Sequence, residues 1–133
     1  MRAVCDEWWG RPVAHLIPRL FLDHFHGTSL IAEADGRLIG FLVGFPSQSL
    51  PGEAYVHVMA VAPEQRGSGL GRELYRRFTE SARERGCSVV RAVTSPGNER
   101  SIAFHRSIGF TVSGPHSDYD GPGVDRMCFE KRL

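Results

Sequence analysis

Tyr55–Leu74, YVHVMAVAPEQRGSGLGREL, decides how this chain is read. Its opening run is apolar and valine-rich, as a buried strand requires. Ala62-Pro63 breaks the run, and the loop Arg66-Gly67-Ser68-Gly69-Leu70-Gly71 follows. Three glycines at alternate positions let the backbone turn sharply and keep one side of the loop clear of side chains. A helix is predicted over Arg72–Arg85, with Leu74, Tyr75, Phe78 and Ala82 in one stripe and Gly86 as its stop. The start of such a helix has unsatisfied N–H groups and the positive end of the dipole, so it suits a phosphate. Arg66 and Arg72 add charge at either edge.

The spacing separates this loop from two other phosphate sites. A P-loop closes on Gly-Lys-Ser/Thr, whereas Gly71 is followed by Arg72-Glu73. The dinucleotide fingerprint puts a third glycine three places after the second, where this chain has Arg72. What remains is Arg-x-x-Gly-x-Gly behind a strand ending in Val-x-Pro, or, on the bland reading, a glycine-rich turn with no ligand.

The flanking sequence supplies the other elements. Val13, Leu16, Ile17, Leu20, Phe21 and Phe25 recur at helical spacing within Met1–His26, with breaks near Pro12 and Pro18. Trp8 and Trp9 either pack on the sheet or line a pocket wall. Leu30–Ala34 and Leu38–Phe45 form a hairpin through Asp35-Gly36, and Ala54–Val61 adds a third strand. Strict alternation along that strand groups Tyr55, His57, Met59 and Val61 on one face and Val56, Val58 and Ala60 on the other. Ser88–Thr94 is a strand parallel to it, reached by a right-handed crossover. Asn98 caps a helix that runs to Ser107 and stops at Gly109, and strands follow at Phe110–Ser113 and Asp125–Lys131.

With 41% hydrophobic residues, 23% charged residues and a formal net charge of +1, the 133-residue chain fits one globular domain over residues 1–133. No basic run exceeds Arg76-Arg77, which speaks against a nucleic-acid partner. No apolar stretch is long enough for a membrane span, and no signal-peptide pattern opens the chain. Cys5, Cys87 and Cys128 are odd in number and widely spaced, which argues against a disulfide framework and suits a reducing cytoplasm. His15, His24 and His26 lack a carboxylate or thiol at ligand spacing, so no metal is expected.

Two segments carry a family resemblance. The Arg66–Gly71 loop resembles the coenzyme A loop of the GNAT (GCN5-related) N-acetyltransferase superfamily. Asn98–Phe110, NERSIAFHRSIGF, is similar to that superfamily's Asn-x-x-Ala-x-x-Phe-Tyr-x-x-x-Gly-Phe segment. The resemblance implies an α+β fold, a three-layer α/β/α sandwich with a mixed, mainly antiparallel sheet and one splayed parallel strand pair. It implies acetyl-CoA as cosubstrate, held at the pyrophosphate by Arg66, Gly67, Ser68, Gly69, Leu70, Gly71 and Arg72. The pantetheine arm would lie along the backbone of Met59, Ala60 and Val61, near Asn98. The first strand of the family is missing or truncated here. The bare sheet edge this leaves, with the resemblance, makes a homodimer an expectation.

The implied reaction is direct transfer of an acetyl group to a primary amine, a small molecule rather than a protein lysine. It needs a base, a polarised thioester and a proton for the leaving sulfur. His57 is the candidate base, with Glu53 and Tyr55 farther along the strand able to act directly or through water, and a backbone N–H near Val61 is the candidate oxyanion donor. His57 can equally be a half-buried strand histidine held by a neighbour. His105 stands where the family carries a proton-donating tyrosine, and is either that donor or a polar helix residue. Asp118, Asp120 and Asp125 either attract a cationic acceptor or shape their loop, and Tyr119 is a pocket wall or a second proton donor. The rival expectation is a CoA- or acyl-CoA-binding module without turnover. A nucleotide-binding domain is a more distant one.

Overall fold

The computed structural model describes residues 1–133, Arg2 by its backbone alone. Helix α1 spans Arg2–Trp9, and α2 spans Arg19–His24, with a single 3-10 turn at Ala14–Leu16 between them. Proline sets these breaks as expected, since Pro18 is the N-cap of α2. The strands are β1 Leu30–Ala34, β2 Arg37–Pro46, β3 Glu53–Val61, β4 Val89–Thr94, β5 Thr111–His116 and β6 Arg126–Arg132. Helix α3, Leu70–Glu84, joins β3 to β4, and α4, Glu99–Ser107, joins β4 to β5.

The six strands form one sheet in the order β1-β2-β3-β4-β6-β5. Its only parallel neighbours are β3 and β4; every other pair is antiparallel. The hairpin turn at Asp35-Gly36 has φ of 50° and 71°, the positive values that a right-twisted two-residue turn requires. Two apolar clusters cover opposite faces of the sheet. Leu74, Tyr75, Phe78 and Ala82 of α3 pack with Val56, Val90 and Phe129 on one side. Cys5 and Trp8 of α1 pack with Ile17, Phe41 and Val43 on the other. The α+β three-layer sandwich is therefore the observed fold.

Helix ends follow local chemistry. At the end of α3, Gly86 has φ 81°, and Cys87 N–H reaches back to Ala82 O at 2.9 Å, closing the helix with a six-to-one bond. Asn98 Oδ1 accepts from Ser101 N–H at 3.2 Å, the expected cap of α4. Trp8 stacks on Phe41 with centroids 6.0 Å apart, so it is a packing residue. Asp6 was not singled out by the sequence. Its Oδ1 accepts from Val13 and Ala14 N–H at 2.6 and 2.7 Å, tying α1 to the next segment.

Strict alternation along β3 does not hold. Val43 pairs with Val58 and Gly44 with Val56, so His57 is one residue extra on its strand, a β-bulge. Val56, Met59 and Val61 pack with the α3 cluster, and Val58 and Ala60 with the α1 cluster. His57 stacks on Phe21 of α2, and so shares the face of Val58. The grouping of His57 with Met59 and Val61 is thus corrected. Gly44, opposite Val56 and beside the bulge, leaves room for a ring of α3. A Cβ there would sit 2.5 and 2.7 Å from the Phe78 ring. Gly44→Ala should lower the unfolding free energy by about 1–3 kcal/mol, the usual range for an overpacked core. Urea denaturation measures this; a loss under about 0.5 kcal/mol would mean that Phe78 moves aside freely.

Candidate active site

The site begins where the parallel pair opens. Only Glu53, Ala54 and Tyr55 of β3 pair with Val89, Val90 and Arg91 of β4, although both strands continue. From Val56 onward the edge of β3 toward β4 faces a gap. Ala62 N–H bonds to Ile39 O at 2.8 Å on the β2 side. Backbone groups alternate along a strand, so those of Met59 and Val61 point into the gap.

The glycine loop closes one end of this gap. Gly69 takes φ 88° at the N-cap of α3, a conformation that favours glycine, and Gly67 has φ 80°. Among the described residues, the N–H groups of Gly67, Gly69, Gly71 and Arg72 have no acceptor. They sit in the loop leading into, and at the first turn of, a 15-residue helix. Four unsatisfied donors at the positive end of a dipole fit a phosphate. Gly71 also has a packing role, because a Cβ there would meet Phe104 at 3.2 Å and Met59 Cε at 3.6 Å.

The flanking side chains are committed elsewhere. Arg66 Nη2 donates to Trp8 O at 2.6 Å, and Arg72 Nη2 to Ser107 O at 3.4 Å. Asn98 lies beyond the end of β4, its Oδ1 on the α4 cap and its Nδ2 donating to Thr94 Oγ1 at 3.0 Å. The donors that the loop leaves open are therefore those of its backbone.

His57 lies on the other face of the sheet. Its Nε2–H donates to Leu16 O at 2.6 Å, and its ring stacks on Phe21 at 4.2 Å with 7° between planes. A carbonyl can only accept, so Nε2 holds the proton and Nδ1 of the neutral ring holds the lone pair. An aromatic strip continues from there: Phe21 meets Phe45 at 6.4 Å, and Phe45 meets Tyr55 at 5.9 Å. The strip ends in a cavity of about 310 Å³ whose walls include Phe45, Leu50, Glu53, Tyr55, Arg91 and Tyr119. Burial pushes the Tyr55 phenol up to about 12. Arg91 joins Glu53 at 3.0 Å to Glu130 at 2.6 Å. The sequence named Glu53, Tyr55 and Tyr119 but missed Phe45, Arg91 and Glu130, which only the strand register brings together. Asp118 and Asp125 accept loop N–H groups, so they shape the loop.

His105 is not brought to the gap. It is 6% exposed, lies flat on Phe129 at 3.9 Å, and has both nitrogens engaged. Nδ1–H donates to Ser101 O at 2.7 Å, and Nε2 accepts from Tyr75 Oη–H at 2.6 Å. Burial pushes its pKa down to about 4, so at neutral pH its one proton is already donated. His105 is thus a buried histidine joining α4 to α3 and β6.

This burial has a pH signature. The folded protein keeps His105 neutral down to about 4, while an unfolded histidine titrates near 6.5. Between those values the unfolded chain binds more protons, so stability falls as pH falls. Stability should be intact above about pH 6.5 and drop by up to roughly 3 kcal/mol on the way to pH 4. His105→Gln should flatten that segment of the curve; an unchanged slope in the variant would assign it to other groups.

The comparisons with known proteins agree with this geometry. Residues 2–110 match the family model described as the acetyltransferase (GNAT) family. The L-2,4-diaminobutyric acid acetyltransferase of Nocardia farcinica is 33% identical over 89 residues, 67% of this chain and 46% of that protein. The chain thus spans less than half the length of this relative. The ribosomal-protein-alanine N-acetyltransferase structure from Brucella melitensis superposes with a TM-score of 0.71 at 30% identity, over 86% of this chain and 76% of that one. A Salmonella typhimurium putative acetyltransferase, solved with its cofactor acetyl-CoA, superposes at 0.65 and 28% identity, over 79% and 64%. An opened parallel pair, a helix start with free amides and a family match over most of the chain point one way: the chain belongs to the GNAT acetyltransferase family.

Proposed function

We propose that residues 1–133 form one domain that transfers an acetyl group from acetyl-CoA to the primary amine of a small molecule. The observation that carries this reading is the gap beyond Tyr55 and Arg91, with unsatisfied donors at the start of α3. The amides of Gly67, Gly69, Gly71 and Arg72 hold the pyrophosphate, and the backbone of Met59–Val61 holds the pantetheine arm. Acetyl-CoA supplies the activated acyl group as a thioester. On the far side of β3, His57 Nδ1 takes the proton that the amine loses as it attacks. The C–N bond forms as the C–S bond breaks, the carbonyl oxygen receives an N–H from Met59 or Val61, and CoA leaves as a thiolate that takes its proton from solvent. His57 keeps its Nε2–H bond to Leu16 O throughout, so the imidazole is oriented before and after it accepts a proton.

The named action of the Nocardia relative on an amino acid supports a small acceptor. No helix among the described residues is long and apolar enough to cross a membrane, and we place the protein in the cytoplasm. A homodimer paired through the outer edge of β1 belongs to the same reading, and a monomer in sedimentation equilibrium would remove it. The buried setting of His105 favours one alternative, a CoA-binding module without turnover.

Two measurements decide. Acetyl-CoA at a hundredfold its dissociation constant should add roughly 2.7 kcal/mol of apparent stability, and more than ATP does. Thiol release should then depend on an added amine. His57→Gln, which retains a donor for Leu16 O but has no basic nitrogen, should lower kcat by about 10²–10⁴-fold while acetyl-CoA still stabilises the variant. Stabilisation without release from any amine would establish the binding module. No stabilisation by acetyl-CoA would remove the coenzyme A reading altogether.

A further inference from the structure

The cavity at the end of the aromatic strip has a chemistry that sorts acceptors. Tyr55 and Arg91 are among its walls and are also the last paired residues of β3 and β4, so the cavity lies at the mouth of the gap. Tyr55 and His57 share one face through Phe45 and Phe21. They are two residues apart, roughly 7 Å at about 3.3 Å per residue. An acceptor whose amine reacts beside His57 therefore places the next part of its skeleton in the cavity.

The charged groups at that wall cancel. Arg91 Nε donates to Glu53 Oε2 at 3.0 Å and its Nη1 to Glu130 Oε2 at 2.6 Å, and Arg132 pairs with Glu130 at 3.9 Å. Two acids thus alternate with two bases, and of these Glu53 and Arg91 line the cavity. Asp120, on the loop of Tyr119, is paired with Arg126 at 2.6 Å. Ser47 Oγ accepts the N–H groups of Ser49 and Leu50 at 3.3 and 3.0 Å, so it holds its own loop. A second ammonium or a carboxylate on the acceptor would give up water for a site whose charges are already paired. What the cavity offers a guest is the apolar surface of Phe45, Leu50, Tyr55 and Tyr119. The rings of Phe45 and Tyr55 have centroids 5.9 Å apart and planes tilted by 33°, so a third ring meets both edges and faces. The volume of about 310 Å³ is ample for a ring, since an apolar cavity of roughly 150 Å³ holds benzene. Leu50 and Tyr119 are 56% and 50% exposed, and a guest that covers them removes apolar surface from water.

We propose that this cavity binds the uncharged ring of an arylalkylamine, whose amine is acetylated beside His57. The proposal rests on the acetyltransferase reading given above and adds the acceptor class; the bonds made and broken are the same. Leu50 and Tyr119 are then specificity residues, which set which amines are bound well and take no part in the bond changes.

The test measures thiol release from acetyl-CoA with phenethylamine and three competitors. Ethylamine lacks the ring, cadaverine would place an ammonium in the cavity, and aminohexanoate would place a carboxylate there. Phenethylamine should lead each of them in kcat/KM by about tenfold or more, as burial of a ring provides. The lead should be carried by KM, because the ring is held equally before and during the reaction. Leu50→Glu, which sets an acid at the rim, should shrink the lead over cadaverine several-fold, and Tyr119→Ser should shrink the lead over ethylamine. Both substitutions fall on half-exposed residues, and stabilisation by acetyl-CoA reports that each variant is folded. A preference for cadaverine or aminohexanoate, equal use of ethylamine, or a lead that neither variant moves would overturn the arylalkylamine assignment and leave acetyl transfer standing. So would no release from these four while another amine is acetylated. No release from any amine, with acetyl-CoA still stabilising the protein, would overturn the acetyl-transfer reading and this assignment with it.

Discussion

The extra residue at His57 is the constraint from which the site follows. A bulge bends its strand and raises the local twist. Here it falls two residues after Tyr55, the last residue of β3 that still pairs with β4. Beyond it β3 leaves its parallel neighbour, and the backbone of Met59 and Val61 loses the partner that a regular sheet would supply. The same irregularity turns His57 and Val58 to one face while Met59 and Val61 keep to the other. One inserted residue thus opens the gap, frees its edge and aims an imidazole at the opposite side.

That arrangement divides the chemistry between two layers. The α3 face presents amides whose direction is set by glycine conformations and a helix start. The α2 face presents side chains: an imidazole, three aromatic rings and the ion pairs around Arg91. Each half is held by its own apolar core. Gly44 sits beside the bulge in register and leaves the room that the Phe78 ring of α3 fills.

Much of the fold was legible because its signals are local. Asp35-Gly36 specifies a hairpin by positive φ, Gly86 and Gly109 stop their helices, and the stripe on α3 has an unambiguous period. The glycine loop and the helix start behind it were legible for the same reason. The face assignments of β3 were not, because alternation assumes one residue per step. Gly44 inside the facing strand was the available warning, since an isolated strand glycine marks a bulge or a close approach. The two readings of His105 could not be separated for another reason. A helix position taken from a family segment says which way a side chain starts, while burial against Phe129 and the bond to Tyr75 decide what it can do. The Arg91 cluster joins β3, β4 and β6 across a register that no short stretch of sequence contains.

The amides at the start of α3 have a consequence for how such a protein changes over time. A cradle made of main chain carries no information in its side chains beyond the need to stay small. Substitution can abolish it, but cannot retune it toward a different anion. The wall around Arg91 is the reverse, since every group in it is a replaceable side chain. Lineages descended from this chain are therefore free to remodel that wall while inheriting the main-chain cradle unchanged.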